Sequence, residues 1–403
     1  MTSSVLLTGA TGFLGMELLA RELERSERPV LALVRAASDD EAAARLSVTM
    51  ASLFGSPDAH AGRVRAVRGD LTTPGLGLDA STRAVLAHEV GEIVHGAASV
   101  SFGTPLAESR AINVEGTRRM LALACDCAGA GDGLARFTYV STAYVAGRRR
   151  GLVREGELDE GQAFRNSYEQ SKLEAERLVH DHHDRLAVTV VRPSIVVGHR
   201  ETGWTAAFNV LYSPLRSFAA GGIPMLPARR RAPVDVVSVD YVAEAIGALA
   251  AAPEARGRTF HLVAGQRAST VGELVGLGAR RFGRRAPRMI HAGAYRRFLH
   301  PLLKARSAPA RRRMLERNEV FFPYFAMGMR FDDREARALL EPCGIAPAPL
   351  SSYFDRLVDF AQAARWGRQP IGRADAAVLA QAPAPGRPVA RSSVRAGQPV
   401  PVR

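Results

Sequence analysis

Two kinds of hydrophobic pattern take turns along this chain. Short apolar runs occur at Val5–Leu7, Pro29–Val34, Arg63–Leu71, Glu92–Ala98, Ala135–Val140, Ala187–Val191 and Thr259–Val263. Between them lie longer stretches with apolar residues three or four apart, among them Ser38–Phe54, Asn113–Ala124 and the stretch that starts at Ser171. Runs of five or six apolar residues fit strands buried on both faces, and the longer period fits helices that cover those faces. Strand and helix signals at this spacing predict an α/β chain with a doubly wound parallel sheet over about residues 1–265. The pattern loosens at 199–232, which is rich in Gly, Pro, Trp and Arg and reads as an insertion lining a substrate site. Residues 266–365 predict a smaller, mostly helical C-terminal region for substrate or partner. The Ala, Pro, Gly and Arg of 366–403 show no period and predict a disordered tail.

The first run leads straight into Thr8-Gly-Ala-Thr-Gly-Phe-Leu-Gly15, and an amphipathic pattern follows. A strand, a tight glycine turn and a helix N-terminus together form a pyrophosphate site on free backbone N–H groups. Gly9 permits the turn, Gly12 lets the backbone approach the phosphates, and Gly15 lets the helix pack close to the strand. The second run ends in Arg35, twenty residues past Gly15, where an acidic residue would hold the ribose hydroxyl of NAD. An arginine suits the 2′-phosphate of NADP. The ends of the third and fourth runs, Asp70 and Leu71 and then Ala97 and Ala98, offer an adenine edge and small residues against a cofactor.

Tyr168-Glu-Gln-Ser-Lys172 opens a helix pattern, so its phenol and ammonium share one helix face. A nearby cation lowers a tyrosine pKa toward the range of a general acid–base, and that lowering is the expectation here. Ser141 and Thr142 follow the fifth run, at the sheet edge where ligands bind. Spacing leaves open which of the two hydroxyls faces a substrate carbonyl.

These segments together resemble an extended short-chain dehydrogenase/reductase over roughly residues 4 to 265. The branch most resembled is that of thioester reductases and fatty acyl-CoA reductases, the male-sterility type. The narrower likeness rests on His95-Gly-Ala-Ala-Ser-Val-Ser-Phe102, Asn113-Val-Glu-Gly-Thr117, Val140-Ser-Thr-Ala-Tyr-Val-Ala-Gly147, Tyr168-Glu-Gln-Ser-Lys172 and Val191-Arg-Pro-Ser-Ile-Val196. The resemblance implies Thr142 as the catalytic hydroxyl, Tyr168 as the acid, Lys172 as its partner and Asn113 in a supporting water relay. It implies NADP(H) contacts from Gly9, Thr11, Gly12, Phe13, Leu14, Gly15, Arg35, Arg45, Asp70, Leu71, Ala97, Ala98, Tyr168, Lys172, Pro193 and Ser194. The implied reaction is NADPH-dependent reduction of an acyl thioester to an aldehyde and, with a second hydride, an alcohol. The chain has no room for adenylation or carrier domains beside this unit, so the expected substrate is acyl-CoA or an acyl group on a separate acyl-carrier protein. The same triad also serves sugar-nucleotide epimerases or dehydratases and hydroxysteroid-type dehydrogenases. A non-catalytic NADP-binding sensor is a further alternative, against which the presence of both Tyr168 and Lys172 counts.

Composition narrows this picture. The formal charge of +14 is concentrated at 278–317, where thirteen Arg or Lys stand against one acidic residue, so it does not imply a nucleic-acid-binding fold. That segment is a candidate surface for a phosphate-bearing or acidic partner, or for peripheral membrane contact. Only Lys172 and Lys304 are lysines among 54 basic residues, so Lys172 stands where arginine would not serve. Three cysteines are too few for a disulfide framework, no metal motif is present, and Cys125 and Cys127 fall in an apolar helical pattern. No leader precedes the first run and no apolar run reaches the roughly 18 residues of a membrane span, so a reducing cytoplasm is expected. The apolar stretch from Val320 is expected in the core or along an acyl tunnel.

Overall fold

A computed structural model describes residues 3–208, 210–221, 223–319 and 322–381. Its centre is a seven-stranded sheet, every pair of which is parallel. The strands are β1 (Ser4–Thr8), β2 (Val30–Val34), β3 (Val64–Arg68), β4 (Val90–His95), β5 (Arg136–Val140), β6 (Val188–Pro193) and β7 (Arg258–Leu262). Their spatial order is 3-2-1-4-5-6-7, so the direction of winding reverses between β1 and β4. Ligands of such sheets sit beyond the C-terminal strand ends at that reversal. All seven apolar runs of the sequence are in the sheet.

Alternation along each strand sends side chains to two separate cores. Val5, Leu7, Val34, Val191 and Phe260 face helices α1 (Phe13–Arg25), α2 (Asp39–Phe54) and, later in the chain, α7 (Val239–Ala251). Leu6, Leu33, Ile93, Phe137 and Val190 face α3 (Ala80–Glu89), α4 (Leu106–Ala128) and α5 (Ser167–His180). Ser38 caps α2 by accepting the Glu41 N–H, with three acidic residues in the first turn against the positive helix end. Cys127 is fully buried in the second core, and burial pushes its thiol up to about 12, which makes it a packing group.

A third apolar cluster gathers α6 (Tyr212–Ala219), α8 (Val271–Phe282) and α9 (Leu350–Ala363) around Val197, Leu226, Val234 and Val236. Residues 199–232 therefore carry a helix and a short strand (Met225–Pro227), and pack with the C-terminal region. Short parallel pairs stitch that region together, Met225–Pro227 with Arg288–Ile290 and Gly151–Val153 with Met329–Phe331.

Two expectations need correction. The helix expected to open at Asn113 begins at Leu106, so Asn113 sits two turns inside it and is buried. The segment expected to be disordered from 366 instead continues into α10 (Arg373–Gln381), which packs on α2. Arg373 explains this, because its guanidinium bonds Glu17 at 3.0 Å and Glu24 at 2.6 and 3.1 Å on α1. An ion pair between elements so distant in sequence leaves no periodic signal. Residues 382–403 lie outside the described residues, as do Val320 and Phe321.

Candidate active site

The glycine turn takes the form its sequence requires. Gly9 has φ +81°, and a Cβ there would stand 2.9 Å from the Ala97 nitrogen. At Gly15 a Cβ would meet the Gly9 carbonyl oxygen at 1.9 Å, so helix and turn touch through backbone alone. Gly12 begins α1 with no side-chain cap, and a Cβ on it would have only the Gly9 oxygen nearby, at 3.2 Å. The open side of the turn thus lies beside the first N–H groups of α1, at Phe13 and Leu14, which have no acceptor within the helix. Thr11 beside them is exposed. An anionic pyrophosphate fits this cradle.

Around the rim, Arg35 is exposed at the end of β2, and the Arg45 guanidinium donates to its carbonyl, so two cations stand together. Asp70 accepts from the Thr72 N–H and hydroxyl at 2.8 and 2.7 Å. Its carboxyl is held below the ordinary range: partial burial works against ionisation, but the bonds from Thr72 and the nearby Arg35 and Arg119 outweigh it. Leu71 packs on Gly116 of α4, and Ala97 and Ala98 line the loop after β4. At the end of β6, the Pro193 carbonyl accepts from the Thr142 hydroxyl at 3.4 Å. The Ser194 hydroxyl beside it is buried without a hydrogen-bond partner among the described residues, near the Asp235 carboxylate, which accepts the Ala264 and Gly265 N–H groups.

Strand alternation separates Ser141 from Thr142. Ser141 turns toward α5 and donates to Glu176, which is wholly buried. Burial favours the neutral acid, but Arg192, with bonds of 2.9 and 2.6 Å, brings that carboxyl down to about 2. Thr142 turns to the other side, where its hydroxyl donates to the Pro193 carbonyl and lies close enough to the Tyr168 phenol to favour its ionisation. Asn166 caps α5 through the Glu169 N–H at 3.0 Å and so sets where Tyr168 projects.

The expected lowering of the Tyr168 pKa does not occur in the unliganded chain. Burial pushes the phenol up to about 12, the Thr142 hydroxyl opposes this only partly, and Glu169 adds to it. Lys172 is one turn away but points inward, donating to the Tyr139 hydroxyl and the Val140 carbonyl, both at 2.8 Å. Its burial brings the ammonium down to about 7 against the pull of Glu176.

Behind Lys172 lies a polar network that no short motif reveals. Thr8, His95 and Tyr139 are register partners on β1, β4 and β5, so all three side chains project from one face of the sheet in a row. The Thr117 hydroxyl on α4 meets them, 3.1 Å from His95 Nε2 and close to the Tyr139 phenol. It donates its own proton to the Asn113 carbonyl at 2.6 Å. Thr117 must therefore accept from His95, which places the ring proton on Nε2 and leaves Nδ1 to accept from Thr8 at 2.7 Å. Thr8 in turn accepts the Ala97 N–H at 3.1 Å. Burial, with Lys172 adding to it, holds the His95 pKa at about 3, so the ring is neutral. One set of bonds thus runs from the loop against the glycine turn to Asn113, and the row ends at Tyr139, which accepts from Lys172.

Asn113 serves the same loop. Its carbonyl oxygen accepts the Ser99 N–H at 2.7 Å, and its amide donates to the Ser99 carbonyl and Ser171 hydroxyl at 3.1 and 2.9 Å. It makes no direct bond to Lys172 among the described contacts.

On the outer side of Tyr168 stands an aromatic group. Phe102 lies 6.0 Å from Tyr168 and stacks on Tyr324 at 5.4 Å. Tyr144 meets Tyr324 edge-on at 5.5 Å. The Tyr324 hydroxyl donates to buried Glu169 at 2.7 Å and accepts from Asn166 at 2.8 Å. Sequence reasoning placed Tyr324 in the stretch from Val320 expected in the core or along an acyl tunnel, but not its link to Phe102, Glu169 and Asn166 beside Tyr168, because it lies far along the chain from them.

The chain was compared with known proteins. The family described as "Male sterility protein" matches residues 7–246. An isonitrile lipopeptide synthase of Streptomyces coeruleorubidus is 40% identical over 227 residues, which are 54% of this chain and 15% of that protein. A carboxylic acid reductase of Mycobacterium marinum is 33% identical over 64% of this chain and 24% of its own length. The chain thus spans a minor part of these relatives. Among solved structures, the terminal R domain from the myxalamid PKS-NRPS biosynthetic pathway superposes with a TM-score of 0.79 at 30% identity, covering 92% of both chains. A family match over more than half the chain, with a whole-length structural relative beside it, places this protein in the male sterility family of extended short-chain dehydrogenase/reductases, in the thioester-reductase branch, as an NAD(P)-dependent oxidoreductase.

Proposed function

We propose that this protein reduces an acyl thioester to an aldehyde with NADPH. The reading rests on Thr142, just past the C-terminal end of β5, with the Tyr168 phenol near it and an apolar cavity whose wall includes Tyr324, reached from Tyr168 through Phe102. The relatives named as lipopeptide synthase, carboxylic acid reductase and terminal R domain support it. The glycine turn with Thr11, Phe13 and Leu14 would hold the pyrophosphate, and Arg35 and Arg45 the 2′-phosphate. Asp70, Leu71, Ala97, Ala98, Pro193 and Ser194 would line the remaining cofactor surface. When bound, the nicotinamide supplies the hydride.

The other roles fall to the chain itself. Thr142 and Tyr168 hydroxyls donate to the thioester carbonyl oxygen and hold the charge that develops on it. With a pKa near 12, Tyr168 arrives protonated at neutral pH and gives its proton to that oxygen. The resulting hemithioacetal parts into aldehyde and thiol. Lys172, fixed by Tyr139 and Val140, places positive charge behind the phenol and stabilises the phenolate left by the transfer. We assign residues 1–265 to the cofactor side, apart from the 199–232 insertion, which joins residues 266–365 on the substrate side.

An acyl-carrier protein or coenzyme A would present the thioester, and the basic 278–317 segment is the candidate contact. Membrane contact is left out of the proposal, because Arg281, Arg312 and Lys304 direct charge to Asp359, Glu316 and Glu319 of the chain itself. The test is incubation with NADPH and acyl-CoA, acyl-pantetheine and acyl-carrier substrates, following NADPH loss and free thiol together. Matched loss and release are expected, and Tyr168→Phe should lower kcat about 100-fold or more while NADPH binding persists. Turnover of free ketones without thiol release from any thioester would overturn the reading.

A further inference from the structure

The cavity outside the aromatic group has a wall that decides what enters it. Its lining comes from Ile195, α6, α8 and the segment around Tyr324, and apart from the Tyr324 phenol every lining side chain is apolar. That one hydroxyl is already engaged by Glu169 and Asn166. An arriving polar or charged group would therefore leave water with no partner to replace it, a cost of several kcal/mol for a charge. Cavities of this character stay dry and take apolar guests.

The cavity lies near the hydroxyl pair. Ile195 in its wall is two residues past Pro193, whose carbonyl accepts from Thr142. Tyr324, also in its wall, stacks on Phe102, the neighbour of Tyr168. Deeper in, Gly278 on α8 faces Phe218 and Leu215, and a Cβ on it would stand 3.3 Å from the Phe218 ring. A side chain at this cavity-lining position would therefore have to push Phe218 aside or enter the cavity, and glycine is kept there although it costs a helix interior about 1 kcal/mol.

We propose that the cavity receives the acyl chain of the thioester, that the chain must be apolar, and that Gly278 sets how far it extends. This rests on the thioester reading and narrows it, excluding acyl groups that end in a charge. Burial of each methylene then raises kcat/KM about threefold to fourfold until the cavity is full.

The experiment compares butyryl-, octanoyl- and succinyl-pantetheine in the wild type and in Gly278→Leu. In the wild type, octanoyl should exceed butyryl, and succinyl, whose carboxylate replaces the butyryl methyl group, should fall about 100-fold below butyryl. Gly278→Leu should lower kcat/KM for octanoyl at least tenfold and leave butyryl within about twofold. Leucine is a better helix former than glycine, but its Cβ would press on Phe218, so thermal melts check that the variant is folded, and Gly278→Ala, expected to show a smaller loss on octanoyl, stands in if it is not. Equal use of succinyl and butyryl, or an equal loss on butyryl and octanoyl in the variant, would overturn the acyl-pocket inference while leaving thioester reduction standing. If no thioester is reduced, the thioester reading fails and the pocket is judged by calorimetry with the unreactive octyl thioether of pantetheine. Tenfold tighter binding to the wild type than to Gly278→Leu supports the pocket, and equal affinity overturns it.

Discussion

The two sides of the cleft are built on different rules. On the cofactor side, backbone meets backbone at Gly9 and Gly15, and a row of register-matched polar side chains runs from the loop after β4 to Tyr139, the partner of Lys172. On the substrate side, the cavity wall is apolar, assembled from segments scattered between Ile195 and Met327, with a single hydroxyl in it. A site that must hold one fixed ligand is over-determined by directional bonds. A site that selects by size and polarity needs only shape and the refusal of water.

That contrast can be broken most severely at Gly15. In Gly15→Ala the new methyl group meets the Gly9 carbonyl oxygen at 1.9 Å, and neither backbone can move away without opening the turn. We expect a stability loss of about 2–4 kcal/mol and the loss of NADPH-induced thermal stabilisation. Thermal melts with and without NADPH measure both, and a variant that gains as much from NADPH as the wild type would contradict the close-packed turn.

A milder intervention is Arg35→Glu, which leaves the turn alone and reverses the charge at the proposed 2′-phosphate position. Charge-assisted bonds are worth about 1.5–3 kcal/mol, so the NADPH-over-NADH preference in kcat/KM should fall roughly tenfold to a hundredfold. An unchanged ratio would move the phosphate away from Arg35.

The smallest effect compares a buried histidine of the cofactor network with one that ties the sheet to the C-terminal region. His95 belongs to the cofactor network, whereas His261 on β7 bonds the Asp332 carbonyl of the C-terminal region at 2.7 Å. Burial brings both down to about 3. The unfolded chain takes up these protons near pH 6.5 and the folded chain refuses them until about 3. Their stability contribution is therefore complete above pH 6.5 and is lost as pH falls from 6.5 toward 3, by up to about 1.4 kcal/mol per pH unit for each ring. Denaturant titrations between pH 7 and 4 should show this slope, reduced in His95→Gln and again in His261→Gln. A slope indifferent to both substitutions would assign the acid sensitivity elsewhere.

What could be read from the sequence follows the same division. The glycine turn, the β2–Arg35 junction and Tyr168 with Lys172 are short-range patterns, and their geometry is fixed by neighbours in the chain. The destination of Lys172 was not legible, because its partner Tyr139 acts through a register set across three strands. The choice of Thr142 over Ser141 was hidden in strand alternation and in Glu176, which draws Ser141 away. Tyr324, Phe218 and Gly278 come together only by long-range packing of apolar residues, which look alike in sequence whether they fill a core or line a cavity.

The direction of the Lys172 network limits how the enzyme resets. While the ammonium is charged it only donates, to Tyr139 and the Val140 carbonyl, and the neighbouring Thr117 gives its hydrogen to the Asn113 carbonyl, where no further hydrogen can be passed. Such an arrangement behaves as a brace and not as a conduit. Under the proposed mechanism, each proton that Tyr168 gives up must then be restored from the side of Phe102 and Tyr324, along the approach proposed for the substrate. Refilling the acid and releasing the product compete for one doorway, so a slow-leaving aldehyde would delay the next turnover even with the cofactor already exchanged.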